Sequence, residues 1–162
     1  MGKADKMCPT KPKRALEHIV WSVDQPAAAA EACRGVLAAQ TAPLTEAELA
    51  ETVIPGSAFG AVGRRQAVVL APHSRGRRLG AFTVNAPCTA GDLIKAVADF
   101  YARPIPMRFF CAVRWEMGDN GGEAMGRHNG GAALRQADVM DGLVHFCGVE
   151  EKGGGVWEVL LR

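Results

Sequence analysis

The spacing of apolar residues changes along Gly80–Tyr101, and the change predicts a strand followed by a helix. Ala81–Val84 contains the β-branched and aromatic residues typical of a strand, and Asn85–Pro87 interrupts it. Thr89 suits the N-cap of a helix, because an acidic residue follows three positions later. Helical spacing then relates Leu93, Ile94, Val97, Phe100 and Tyr101. Prolines within 103–106 should end this helix, since proline lacks a backbone N–H.

Runs of apolar and β-prone residues on either side of this helix predict the strands of a sheet. Arg65–Ala71 and Leu79–Val84 are joined by a polar connection, so we expect an antiparallel hairpin. Later strands are predicted at Arg108–Trp115, Leu143–Cys147 and Val156–Leu161. We expect a charged turn at Val149–Gly155 and a long loop at 118–131, where six glycines occur without periodicity.

The first third of the chain predicts shorter elements. Leu16–Val23 is a compact apolar run that suits a strand or an extended segment on the core. Ala27–Ala39 has a helical composition. A second short helix is predicted within Pro43–Ile54, because Thr45 and Glu48 have the spacing of a capping box.

Together these elements predict one α+β domain over residues 16–162, preceded by a flexible basic arm over residues 1–15. Its mostly antiparallel sheet carries one central amphipathic helix on a face, with short N-terminal helices in addition. The order of hairpin, helix and further strands is similar to a β-grasp arrangement. The apolar stripe of the helix should be buried against Phe82, Val84, Phe110 and Trp157.

Composition and charge are those of an ordinary globular chain. The 162 residues are 48% hydrophobic and 22% charged, with a formal net charge of +2. No run reaches the ~18 apolar residues of a membrane span, and no apolar segment of a secretory signal follows the basic N-terminus. The five cysteines are widely spaced and form no C-x-x-C pair. We therefore expect reduced thiols, no contact with membranes and an intracellular location, in the cytoplasm or the nucleus.

Three segments carry a resemblance to a known family. The first is FTVNAPCTAGDLIKAVADFYARPI, which is similar to a T-V-x-D-[VL]-L-x-A-I-x-x-F strand-to-helix signature, with departures at Asn85 and Ala90. The second is IVWSVDQP, similar to a W-D-[LV]-x-x-P opening, and the third lies at 137–148, similar to R-x-D-L-L-G followed by F-x-G-L. From Ile19 onward the chain thus resembles a domain family of unknown function that is widespread in mushroom-forming fungi. The resemblance implies the fold and brings no activity with it.

Five arginines form the strongest charge feature, and no acidic residue lies among them. They are Arg64, Arg65, Arg75, Arg77 and Arg78. They flank the predicted hairpin and occupy its connection, so the fold could gather them at one edge, and guanidinium groups suit phosphate. The pattern favours either weak binding of nucleic acid or another polyanion, or protection of a sheet edge against further strand pairing.

Few other residues form a pattern with chemical meaning. His145 and Cys147 alternate along a predicted strand and share a face, where Cys111 on a neighbouring strand would add a third zinc ligand. Buried structural thiols are the alternative. Cys88 precedes the predicted N-cap, where a helix terminus can lower a thiol pKa, although a structural role also fits it.

The acidic residues Glu116, Asp119, Asp138 and Asp141 form one grouping, but paired carboxylates need an enclosing pocket for acid–base chemistry. The sequence therefore assigns no catalytic residue, no metal ligand and no cofactor. It favours a structural or interaction protein that acts through protein–protein contacts, with an unknown partner or with itself. Polyanion binding by the arginines and a small enzyme with an unrecognised site are the alternatives.

Overall fold

The computed structural model describes residues 12–35, 40–56, 66–72, 79–105, 134–140 and 142–162. Its strands are β1 (Arg14–Ala15), β2 (Ile19–Val20), β3 (Glu31–Cys33), β4 (Thr41–Pro43), β5 (Thr52–Ile54), β6 (Gln66–Pro72), β7 (Leu79–Asn85), β8 (Cys88–Thr89), β9 (Phe146–Gly153) and β10 (Val156–Leu161). Its α-helices are α1 (Glu46–Leu49) and α2 (Ala90–Ala102), and 3-10 turns occur at Ala27–Ala29 and Gln136–Val139. The described residues form a mixed α+β fold with mostly antiparallel sheets, as the sequence predicts.

Three sheets organise the described strands. The largest has the order β1-β9-β10-β6-β7, the second has the order β2-β3-β4, and β5 pairs with β8. Among these strands, only β10 and β6 are parallel. The predicted hairpin is confirmed as β6 and β7, with Gln66 opposite Asn85 and Pro72 opposite Leu79.

Helix α2 begins and ends where the sequence predicts. The Thr89 hydroxyl accepts a hydrogen bond from the Asp92 amide at 3.2 Å, which satisfies one of the free amides of the first turn. The backbone becomes extended at Arg103, because Pro104 disfavours helical dihedrals in the residue before it.

The apolar stripe of α2 forms the centre of the core. Its predicted members Leu93, Ile94, Val97, Phe100 and Tyr101 are all buried. The Phe100 ring centroid lies 5.3 Å from that of Phe82 on β7, and Val84 and Trp157 are also buried. Phe110 lies outside the described residues.

The helix predicted at Ala27–Ala39 is wrong. Ala27–Ala29 make a single 3-10 turn, and β3 follows between β2 and β4. Ala30 and Ala32 are buried while Glu31 between them is partly exposed. The alternation of a strand thus outweighs the helix propensity of alanine at this position. Residues 36–39 lie outside the described ranges.

The second N-terminal helix is confirmed as α1, a single turn with the predicted capping box. The Thr45 hydroxyl accepts a hydrogen bond from the Glu48 amide at 3.2 Å, and the Glu48 carboxylate accepts one from the Thr45 amide at 2.7 Å. The helix ends at Leu49, since the chain then pairs as β5 with β8 and buries Val53 and Ile54.

The C-terminal hairpin is longer than predicted. The turn predicted at Val149–Gly155 is wrong, because β9 continues to Gly153 and only Gly154 and Gly155 connect it to β10. Val149 is buried opposite Val159, so the charged residues that follow belong to a strand.

The chain before Leu16 also joins the sheet. Arg14 and Ala15, at the end of the segment predicted as an arm, form β1 on the edge of β9. Two predicted elements, the strand Arg108–Trp115 and the loop 118–131, lie outside the described residues. Within the described ranges, no helix combines the length and apolar composition needed to cross a membrane.

Candidate functional site

A cleft of about 630 Å³ opens where the three-stranded sheet meets the five-stranded sheet. Strands β2 and β3 contribute one part of its lining, and the start of β9 with the end of β10 contributes another. Arg14 and Glu17, from β1 and the turn that follows it, also line the cleft.

Strand β2 lines this cleft, and its segment is hydrogen-bonded on both sides. On one side it pairs with β3. On the other side the Phe146 amide donates to the Trp21 carbonyl at 2.9 Å, and Ser22 forms a β-bridge with His145. These bonds connect the three-stranded sheet to the five-stranded sheet.

Side chains along this segment alternate between buried and more exposed positions. The buried set is Ile19, Trp21 and Val23. The more exposed set is His18, Val20 and Ser22, which line the cleft together with Ile19 and Trp21. Trp21 fixes the alternation, since its indole N–H donates to the Pro26 carbonyl at 3.2 Å and its ring centroid lies 5.7 Å from that of Phe146.

The lining of the cleft combines apolar and polar side chains. Val20 is 47% exposed, and the half-buried Leu160 and Cys147 also line the cleft. Its polar lining includes His18, Glu31, His145 and Arg162. Apolar side chains with a few polar groups among them are the usual composition of a ligand or peptide site.

An ion-pair cluster adjoins the cleft at β1. Arg14 lies between Glu150 at 3.0 Å and Glu17 at 3.8 Å, and Lys152 lies 2.5 Å from Glu150 and 2.9 Å from Glu158. Hydrogen bonds from Lys152 and Arg14 hold the pKa of Glu150 below its ordinary value. The Glu150 carboxylate is therefore charged at neutral pH, and it ties β1 to β9.

The three described cysteines are free thiols. Cys33 and Cys147 line the cleft, and their thiols donate to the backbone carbonyls of Gly35 at 3.6 Å and His145 at 3.5 Å. Cys88 is buried, and desolvation, with a smaller contribution from a nearby carboxylate, raises its pKa to about 11. This shift disfavours the thiolate that a nucleophile needs, so a structural role fits Cys88 better.

The described residues provide no third ligand for the zinc site predicted at His145 and Cys147. His145 and Cys147 both line the cleft, as their alternation predicts, but Cys111 lies outside the described residues. Among the residues that the structure describes, no group of three His, Cys, Asp or Glu side chains could hold a metal ion.

One member of the acidic grouping, Asp138, lies within the described residues and makes a local contact. Asp138 accepts hydrogen bonds from the Arg135 amide at 2.8 Å and from its guanidinium at 3.0 Å, at the start of a 3-10 turn. The other members, Glu116, Asp119 and Asp141, lie outside the described residues.

The five arginines singled out by the sequence also lie outside the described ranges: Arg64, Arg65, Arg75, Arg77 and Arg78. In the sequence, one pair precedes Gln66 and the other three lie between Pro72 and Leu79.

Sequence reasoning missed the cleft, because its lining comes from segments more than 100 positions apart, such as Ser22 and His145. One local signal was available. In HIVWSV the polar or smaller residues alternate with bulky apolar ones, which places His18, Val20 and Ser22 on one side of a strand. No family model, no curated protein and no solved structure matches the chain.

Proposed function

We propose that this protein is a non-catalytic binding protein that acts through contacts with a partner protein, and that the cleft over β2 is its contact surface. The observation that carries the proposal is an exposed aliphatic side chain in a concave site, where Val20 is 47% exposed among polar lining residues. A partner side chain that enters the cleft would cover Val20 and remove apolar surface from water.

The polar lining residues favour a polypeptide over a ligand of a single charge. Glu31 and Arg162 bring both signs of charge to the same cleft, and two imidazoles add groups that donate or accept hydrogen bonds. A peptide segment supplies complementary amides and side chains of either charge, together with an apolar side chain that can contact Val20.

A small enzyme is the second candidate, because two imidazoles and two thiols line one cleft. Proton transfer needs such groups within about 2.6–3.2 Å of each other or of the substrate. Among the described residues, however, the rings of His18 and His145 make no hydrogen bond to a thiol or a carboxylate. The thiols of Cys33 and Cys147 bond to backbone carbonyls instead. These contacts support binding over catalysis.

We also propose the detailed strand order, the family, the location and the self-association that the sequence predicts. The succession of the β6–β7 hairpin, α2, β9 and β10 supports the β-grasp-like order. Three further points stay predictions: the resemblance to the domain family of mushroom-forming fungi, an intracellular location and self-association. Polyanion binding by the arginines is the remaining alternative.

The test is capture of partners from the native source by the tagged full chain, with nucleic acid removed or retained in parallel. Val20→Glu places a charge in the lining of the cleft. Leu79→Glu is its matched control, because Leu79 is also 47% exposed but lies on β7, outside the cleft lining. The melting temperature of each variant reports whether it folds.

We expect Val20→Glu to lower partner recovery at least tenfold, which corresponds to about 1.4 kcal/mol. Leu79→Glu should recover the partners like the wild type. Partners that stay bound to Val20→Glu would contradict the proposal, and partners lost only when nucleic acid is removed would favour the polyanion alternative. Recovery of partners that carry a covalent modification absent from the control would favour the alternative that this protein is an enzyme.

A further inference from the structure

Strand β1 pairs with β9 through two residues at one edge of the five-stranded sheet, and the Phe146 amide at the start of β9 donates to the Trp21 carbonyl. Ala15 lies opposite Val149. The Lys13 carbonyl accepts a hydrogen bond from the Glu151 amide at 2.9 Å. The middle of β9 thus holds a short extended segment by backbone pairing, as in strand addition to a sheet edge.

Three features give this edge a recognition pattern. Glu150 is 7% exposed, and its Oε1 accepts a hydrogen bond from Arg14 Nε at 3.0 Å. Leu16, two residues after Arg14, is 7% exposed within the core. The third feature is Gly148 on β9, which has φ +109°. A Cβ at this position would lie 2.6 Å from the Ala15 carbonyl oxygen. Glycine therefore provides the room in which the bound backbone approaches β9.

The backbone ladder that holds this segment in the groove is short. Its ladder consists of two residue pairs, at Arg14 and Ala15. Leu16 has φ 62°, a left-handed conformation that is unfavourable for leucine. Arg14 itself is about half exposed, and it also lines the cleft together with Glu17. A segment that fits the groove without the strained turn would compete with β1.

We infer that β1 is a built-in ligand of a groove on the β9 edge, and that an extended segment of a partner protein displaces it. The partner segment carries a basic residue opposite Glu150 and an aliphatic residue two positions later, in the place of Leu16. Charge complementarity with Glu150 selects the first residue, and the apolar pocket selects the second. The groove lies on the β9 edge and adjoins the cleft, since Arg14 lines both.

The probe is a blocked peptide with the sequence of residues 12–18, PKRALEH, added to the full chain. A control peptide carries glutamate in place of its arginine. Three variants of the full chain are compared with the wild type. Arg14→Ala weakens the built-in ligand, Glu150→Gln removes the partner of the peptide arginine, and Lys95→Ala removes a surface ion pair on α2 as a control.

We expect Arg14→Ala to bind the peptide at least tenfold more tightly than the wild type, and Glu150→Gln at least tenfold more weakly than Arg14→Ala. Lys95→Ala should match the wild type, and the glutamate peptide should bind none of them. In hydrogen exchange at saturation, residues 12–16 of the chain should lose protection while β9 keeps it.

Failure of the peptide to bind Arg14→Ala would overturn the inference, as would equal binding of the glutamate peptide or continued protection of residues 12–16. Because the first comparison does not depend on Glu150→Gln, a folding defect in that variant leaves the test intact. Loss of partners by Val20→Glu without peptide binding would overturn the β1 inference and leave the proposed function standing.

Discussion

Replacement of Phe100 by alanine tests how far α2 organises the domain. Phe100 is 4% exposed, and its ring centroid lies 5.3 Å from that of Phe82 and 5.1 Å from that of Tyr101. Removal of a buried phenylalanine side chain costs about 3–5 kcal/mol through lost burial and the cavity left behind. The guanidinium carbon of Arg103 also lies 5.4 Å from the Phe100 ring centroid. These ring and cation contacts place the expected cost toward the upper end of that range.

A loss of about 4 kcal/mol should lower the melting temperature by roughly 8–16 °C in a chain of this size. Urea titration followed by circular dichroism measures the free energy of unfolding directly. Asp99→Ala is the control on the same helix, because it removes only an exposed ion pair to Lys95 and should change stability by less than about 0.5 kcal/mol. A Phe100→Ala variant within 1 kcal/mol of the wild type would refute the assignment of Phe100 to the core.

Three further predictions concern the thiols, the arginines and acid stability. All five cysteines should be reduced and a chelator should leave the melting temperature unchanged, whereas stoichiometric zinc in the purified protein would contradict this prediction. Replacement of Arg75, Arg77 and Arg78 by serine should weaken binding of a labelled duplex and flatten its salt dependence at unchanged thermal stability, and absence of wild-type binding at low salt would favour edge protection. Hydrogen bonds from Arg34 and then Thr45 lower the pKa of Glu48 from 4.5 to about 2, so its stabilising contribution is present above pH 4.5 and is lost as the pH falls toward 2. Glu48→Gln should therefore lose less stability than the wild type across that window in pH-dependent melts, and an equal loss would contradict the assignment.

The features that the sequence predicted correctly are those decided by local interactions. Helix α2 follows from a cap at Thr89, an apolar stripe and a proline, all within one continuous segment. The β6–β7 hairpin follows from two neighbouring runs. The capping box at Thr45 also needs only four residues. In each case the contacts that decide the structure join residues close in the chain.

The features that sequence reasoning missed depend on distant partners. Arg14 is paired with Glu150, 136 positions later, so the end of the predicted arm becomes a strand only once β9 has formed. The alanine-rich segment at Glu31–Cys33 becomes a strand because β2 and β4 supply its hydrogen bonds. Local propensity favours a helix there, and tertiary pairing overrides it.

The cleft shows the same division between local and distant information. The alternation that exposes Val20 and the shared face of His145 and Cys147 are both visible in the sequence. The sequence does not show that these two segments meet in one cleft, because their contact requires the bridge between Ser22 and His145 that connects the two sheets. The chemistry of a site assembled in this way has no contiguous motif for sequence reasoning to find.

Alkylation of the cleft thiols in the presence of a captured partner tests the central claim most directly. Cys33 and Cys147 line the cleft, so a bound partner should slow their modification at least tenfold, as measured by mass spectrometry of the peptides that contain them. Leu79→Cys supplies a control thiol at an exposed position outside the cleft lining. The account predicts protection of Cys33 and Cys147 with no protection at position 79. Equal reactivity of the two cleft thiols with and without the partner would contradict it.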